Sequence, residues 1–236
     1  LFKKIERPTH IYQDVANQIE EAILSEKLKI GDRLPAEREL AETFEISRRT
    51  LRESLRVVEQ KGLIEIKSTG AFVRMATTEK LSQSLGLAIR SKQIAWKDIT
   101  LFRTEMEGNI VMKVAKSATR KDIEALEKIV KDAETMLVGK ELNWIAYLSL
   151  DKRMHLTLAQ IAGNPIYALI LKTFLDNLMP YFEAFRLNEK EFSKANLKTL
   201  SAIVEEIKKG NARGAKKAIS EHFMLGNAYM KKAGIY

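Results

Sequence analysis

Asp151 and His155 stand four residues apart in a stretch of helical periodicity, which puts a carboxylate and an imidazole on one helix face. That face is the apolar stripe of Leu148, Leu158 and Ala162, so both groups point inward. His222 lies on a second apolar stripe, with Ala218, Ile219, Leu225 and Tyr229. Burying such groups unpaired costs on the order of a few kcal/mol, so each of the three demands a partner. Arg103 and Glu107 repeat the four-residue spacing beside Ile99, Met106 and Ile110. The guanidinium there can take a carboxylate through two hydrogen bonds or close an ion pair within its own helix. Arg48, Arg52 and Arg56 form a stripe of another kind, with Arg49 beside it, opposite the apolar Leu51, Leu55 and Val58. A helix fits the DNA major groove, and an arginine fork matches O6 and N7 of guanine.

The elements that present these residues follow from periodicity and punctuation. Ile11, Val15, Ile19, Ile23 and Leu24 mark a first amphipathic helix. Gly31-Asp32 turns the chain, Pro35-Ala36-Glu37 suits the first turn of a second helix, and that helix runs to about Phe44. Ser47 can cap a third helix, which carries the arginines and stops at Gly62, with Leu40, Ala41, Phe44 and Ile46 packed beneath it. From Leu63 to Met75, β-branched and apolar residues flank Ser68-Thr69-Gly70, the pattern of a two-stranded hairpin, or wing. The remainder is helical, with segments expected near 80–92, 96–117, 120–138, 142–162, 166–187, 190–209 and 212–232. Gly163-Asn164-Pro165 and Gly210-Asn211 are the clearest breaks. Trp144 and Tyr147 fall in the middle of this bundle, where they either line a cavity or pack.

The expected fold class is therefore mainly α. A winged helix-turn-helix domain with a two-stranded wing spans residues 1–76, a polar hinge spans 77–80, and an all-α helical bundle spans 81–236. The 236 residues are 45% hydrophobic and 30% charged, ordinary for a globular protein. No apolar run reaches the roughly 18 to 20 residues of a membrane span, and the first residues lack the apolar core of a signal peptide, so the cytoplasm is the expected compartment. The absence of cysteine removes disulfides, thiol nucleophiles and thiolate metal sites. The net charge of +9 suggests an acidic partner, yet the first 75 residues hold 14 Lys/Arg against 13 Asp/Glu. DNA binding thus rests on local arrangement, and the bland alternative is a solvated helix whose arginines pair with Glu45, Glu53 and Glu59.

Helix, turn, capped arginine helix and glycine-tipped hairpin occur here in that order. The segment from Ile11 to Val73 resembles the winged helix-turn-helix of the GntR family of bacterial transcription regulators. Gly31-Asp32-Arg33-Leu34-Pro35-Ala36-Glu37-Arg38-Glu39-Leu40-Ala41 and Ser47-Arg48-Arg49-Thr50-Leu51-Arg52-Glu53-Ser54-Leu55 carry the resemblance. It implies that Arg38, Arg48, Arg52 and Gly70 touch operator DNA. Arg49 stands where many members have a small Thr, so it reads an altered base or adds a phosphate contact. Arg48 and Arg49 are the expected base readers, Ser47 and Thr50 the contacts to phosphate or a thymine methyl, and Lys67 and Gly70 the wing tip at the minor groove.

The helical remainder is similar to the effector domain of the FadR subfamily. Many of its members hold a divalent metal through one Asp and three His, and bind a small carboxylate effector with its help. Asp151, His155 and His222 match three of those positions, and Leu200 stands at the fourth. The resemblance implies a site of three protein ligands for Zn²⁺ or a similar transition metal, with water or effector completing it. The alternative is an Asp-His hydrogen bond and a second buried histidine without metal. Arg103, Glu107, Tyr147 and Arg186 are the effector-contact candidates, and His10 is expected to be exposed. The implied function is that of a homodimeric regulator, not an enzyme, whose grip on double-stranded operator DNA answers to a small carboxylate metabolite, without membrane contact. Two readings stand against it: an architectural DNA binder with a degenerate pocket, and a metal-dependent hydrolase using the same three ligands. The hydrolase lacks an accompanying nucleophile, general base or phosphate loop.

Overall fold

The computed structural model describes residues 11–74, 79–139, 141–184, 188–232 and 234. Its contacts fall into two compact units divided between residues 77 and 78. Thr77 and Thr78 of the expected hinge lie outside the described residues, as does His10, while Glu79 and Lys80 open the first helix of the second unit.

The first unit consists of α1 (Ile11–Leu24), α2 (Glu37–Thr43), α3 (Arg48–Gln60) and the antiparallel pair β1 (Ile64–Lys67) and β2 (Gly70–Val73). Val15, Ala16 and Ile19 of α1 share a core with Leu51, Leu55 and Val58 of α3, closed by Leu34, Ala41, Ile64 and Val73. Pro35 does not open α2, contrary to the sequence reading. Ala36 is extended at ψ 146° and occupies the N-cap without a side-chain hydrogen bond, so Pro35 precedes the helix. Glu45, at φ 53°, makes the left-handed corner between α2 and α3. Ser47 Oγ then accepts from Thr50 N at 3.1 Å, capping α3. At the far end Gly62, at φ 78°, donates to the Glu59 carbonyl, and Leu63 N bonds back to Val58, a paired closure that releases the chain into the wing. Glu59 binds the wing to α3 by accepting from Ile66 N at 2.8 Å.

The second unit comprises α4 (Glu79–Arg90), α5 (Trp96–Ser117), α6 (Arg120–Val138), α7 (Trp144–Ile161), α8 (Pro165–Ala184), α9 (Glu189–Lys208) and α10 (Ala212–Lys232). Helix α10 packs against α5 and α9, while α7 packs against α6 and α8. The core between them includes Ile110, Leu126, Met154, Leu158, Leu171, Leu175, Leu200, Ile203 and Ile219. Gly163 and Gly210 take positive φ at the two expected breaks, Pro165 opens α8, and the Asn211 side chain accepts from Gly214 N near the start of α10. The mainly α class read from the sequence is the class found, and no helix among the described residues is long and apolar enough to cross a membrane.

Candidate functional site

Arg48, Arg49, Arg52 and Arg56 are all exposed, and Arg48 stands in the first turn of α3 directly after the cap. Of the three glutamates offered as internal partners, only Glu53 pairs, with Arg49 at 3.7 Å on the open surface. Among the described residues Arg48 and Arg56 make no ion pair. Arg52 has a partner the sequence did not suggest, since its Nε donates to Glu37 Oε2 of α2 at 2.8 Å. Arg38 lies 3.3 Å from Glu42, also exposed. Such open pairs contribute about 1 kcal/mol or less, so they do not commit the arginines to the fold. The Ser47 and Thr50 hydroxyls share a hydrogen bond of 2.9 Å. On the wing, Lys67 pairs with Glu65 at 3.1 Å and lies over the Phe72 ring. Gly70 has φ 131°, and a Cβ added there would meet Arg33 Nε at 2.9 Å. Glycine at this corner therefore serves the chain's own packing as well as the approach of a partner.

Within the helical unit, α7 supplies Asp151 and His155, α10 supplies His222, and α5 supplies Arg103 and Glu107. Three donor atoms converge. His155 Nε2 and His222 Nε2 are 3.2 Å apart, Asp151 Oδ2 lies 3.6 Å from the first and Asp151 Oδ1 3.6 Å from the second. Metal bonds of about 2.0–2.2 Å in tetrahedral array set ligand atoms roughly 3.3 to 3.6 Å apart, and here one ligand atom from each of the three residues lies within 4.8 Å of the other two, close enough to share an ion. Hydrogen bonds behind these atoms orient both rings. His155 Nδ1 donates to Glu107 Oε2, and Glu107 Oε1 accepts from Arg103 Nε at 2.8 Å. His222 Nδ1 lies 3.0 Å from Thr199 Oγ1, whose single proton goes to the Asn196 carbonyl at 2.7 Å. The threonine oxygen therefore accepts from His222 Nδ1, and the lone pair of His222 Nε2 faces the centre.

Electrostatics agrees with this protonation. Burial pulls His155 down, but Glu107 and Asp151 outweigh it and raise its pKa to about 9. Burial lowers His222 to about 4 against the opposing pull of Asp151, so it stays neutral. Asp151 and Glu107, which burial alone would raise, are held below the carboxylate range, chiefly by His222 and by Arg103 respectively.

A cavity of about 40 Å³ adjoins the centre, lined by Arg103, Asp151, His155, Asn196, His222 and Trp96 together with Thr100, Asn227 and apolar side chains. The structure thus brings together Arg103, Glu107, Asp151, His155 and His222. It does not bring Tyr147 to the cavity. That ring is buried behind it, its hydroxyl donating to the Ser193 carbonyl or Asn196 Oδ1. Trp144 does not line it either. Leu200 is fully buried in the core, as a residue without ligand atoms should be. Arg186 lies outside the described residues. The Asn196 amide donates to Asp151 Oδ1 at 2.9 Å and fixes that carboxylate. Thr199 and Trp96 were missed altogether. Thr199 lies on the polar seam of α9 one turn from Asn196, a signal that spacing could have supplied.

Residues 11–73 match the family model described as bacterial regulatory proteins, gntR family, and residues 98–224 match the FCD domain. The HTH-type transcriptional repressor NanR of Enterobacter sp. (strain 638) is 28% identical over 215 residues, which cover 88% of this chain and 80% of that protein. The Uxu operon regulator of Haemophilus influenzae is 27% identical over 226 residues, covering 91% of this chain and 78% of that one. Among solved structures, Streptococcus agalactiae GntR has the same fold, with a TM-score of 0.68 at 24% identity over 91% of this chain and 97% of that one.

Proposed function

Because the chain belongs to the GntR family of bacterial regulatory proteins and carries an FCD domain, we propose that this transcription regulator answers to a small carboxylate bound beside a divalent metal ion in its helical unit. It does so as a cytoplasmic homodimer on a pseudo-palindromic operator, each copy of α3 entering one of two successive major grooves. Arg48 and Arg49 read base edges from the first turn. Arg38, Ser47, Thr50, Arg52 and the wing residues Lys67 and Gly70 hold the backbone and the adjoining groove. The exposure of the arginines, Ser47 and Lys67 and the weakness of their internal pairs support this assignment.

The observation that carries the effector reading is the cluster of Asp151, His155 and His222, backed by hydrogen bonds that turn both Nε2 atoms inward. These residues would hold Zn²⁺ or a similar ion, which would offer an incoming carboxylate a Lewis-acidic position. Arg103 stands at the same cavity with Nη2 buried and unpartnered among the described residues. A guanidinium nitrogen in that state is suited to an anionic guest. Metal analysis of the purified protein, followed by thermal-shift titration with Zn²⁺ and small carboxylates, tests this. A stabilising shift for ion and carboxylate together, lost in Asp151→Ala, is expected. No bound metal and no shift with any carboxylate would leave the architectural DNA binder as the better reading.

A further inference from the structure

The inner cavity of about 40 Å³ has room for an ion and one or two waters, each needing at least ~10–15 Å³. A metabolite site usually encloses on the order of 300 Å³ or more. The missing space lies on the other side of one side chain. Trp96, which walls the inner cavity, also lines a hollow of about 520 Å³ between the end of α4 and the start of α5. Arg90, Lys92 and Lys97 reach this hollow, Ile89, Ile94 and Tyr181 give it apolar walls, and none of its lining residues is acidic.

The dividing indole is held by ring contacts alone and keeps an unused donor among the described residues. Its Nε1 is buried without a hydrogen-bond partner among the described residues, and Tyr181 and Phe182 meet the ring edge-on or tilted at 5.9 and 5.8 Å. The chain's other tryptophan, Trp144, is pinned by a hydrogen bond of 3.1 Å from its Nε1 to the Phe182 carbonyl. An N–H donor buried without an acceptor costs free energy that either a guest's oxygen or a swing of the ring would recover.

We propose that the two hollows are the ends of one ligand site parted by Trp96, and that its ligand is an elongated dianion. One acidic group lies beside Arg103, an apolar stem passes the indole, and the second acidic group rests among Arg90, Lys92 and Lys97. This inference rests on the reading of the inner cavity as the carboxylate site. It also gives the signal a route. Arg90 is the last residue of α4, which starts at Glu79, so a ligand that grips Arg90 acts on the helix that comes first in the chain after the DNA-binding unit.

Calorimetric titration of the Zn²⁺-loaded full chain with the unbranched dicarboxylates from malonate to adipate, each against the monocarboxylate of equal length, tests the proposal. At least one dicarboxylate should bind about tenfold tighter than its partner, the gain from one added charged contact. Replacing Arg90, Lys92 and Lys97 together by Ala should erase that gain and leave monocarboxylate affinity unchanged. In a Trp144→Phe background, the remaining Trp96 emission should shift with the dicarboxylate. Parity between the two series, or a gain that survives the triple replacement, would overturn the proposal while Arg103→Ala still weakens both series. If Arg103→Ala changes neither series, the reading of the inner cavity fails and this inference falls with it.

Discussion

The two units hold their charged groups in opposite ways. On α3 the guanidinium groups stand in water, some unpaired among the described residues and others in open pairs that can be exchanged at little cost. In the helical unit Arg103, Glu107, His155 and His222 are buried, and with Asp151 they form one connected network. The first arrangement leaves cations free for a partner that arrives from outside. In the second, every group is fixed before a guest enters, so neither residue types nor net charge distinguishes a surface reader from an interior receptor. Burial does, together with the number of partners each charge already has.

The sharpest way to break this contrast is to remove one member of the buried network. Glu107→Ala leaves Arg103 and His155 without their shared carboxylate and should cost about 3–5 kcal/mol in chemical denaturation. A loss as small as that of a surface mutant would show that the network is not preorganised. At the other pole, Arg48→Ala should weaken operator binding by about 1–3 kcal/mol in a gel-shift assay while the denaturation midpoint stays put. Unchanged affinity would remove α3 from the role of reader. Thr199→Val takes away the acceptor that orients His222 and should lower Zn²⁺ affinity roughly 10- to 100-fold in a chelator competition. Ser47→Ala deletes the α3 cap and should cost about 1 kcal/mol of stability. Smallest of all, a double-mutant cycle on Arg52 and Glu37 should return a coupling of about 0.2–1 kcal/mol in stability. A larger value would place that pair with the buried charges.

Helix positions were legible because apolar periodicity and the Gly-Asn breaks act locally. The limits 96–117, 120–138 and 212–232 coincide with α5, α6 and α10. Pro35 misled because a proline that suits a first helical turn also suits the extended residue before one, and Ala36 at ψ 146° chose the latter. At the buried centre, spacing within one helix revealed Asp151 with His155 and Arg103 with Glu107. Spacing could not show that α5 brings Glu107 against His155, because that contact depends on how α5, α7 and α10 pack. Tyr147 was read as a cavity residue from its place mid-bundle, yet one turn of helix separates the cavity wall from what lies behind it. Trp96 carries no polar signal beyond its indole nitrogen, so its position between two hollows appears only in three dimensions.

The hydrogen bond from Arg52 to Glu37 has a consequence for how DNA binding counts ions. DNA carries condensed counterions, and each protein cation that neutralises a phosphate displaces roughly 0.9 of one. On the proposed contacts Arg52 meets the duplex with a carboxylate beside it, so Glu37 offsets part of its charge and it displaces fewer ions than an unpaired arginine would. Glu37→Gln should therefore steepen the fall of log affinity with log salt by up to about one ion, for operator and random DNA alike. On that reading the acidic residue of α2 would moderate the hold on arbitrary sequence, leaving a larger share of the binding to the base edges that only the operator presents.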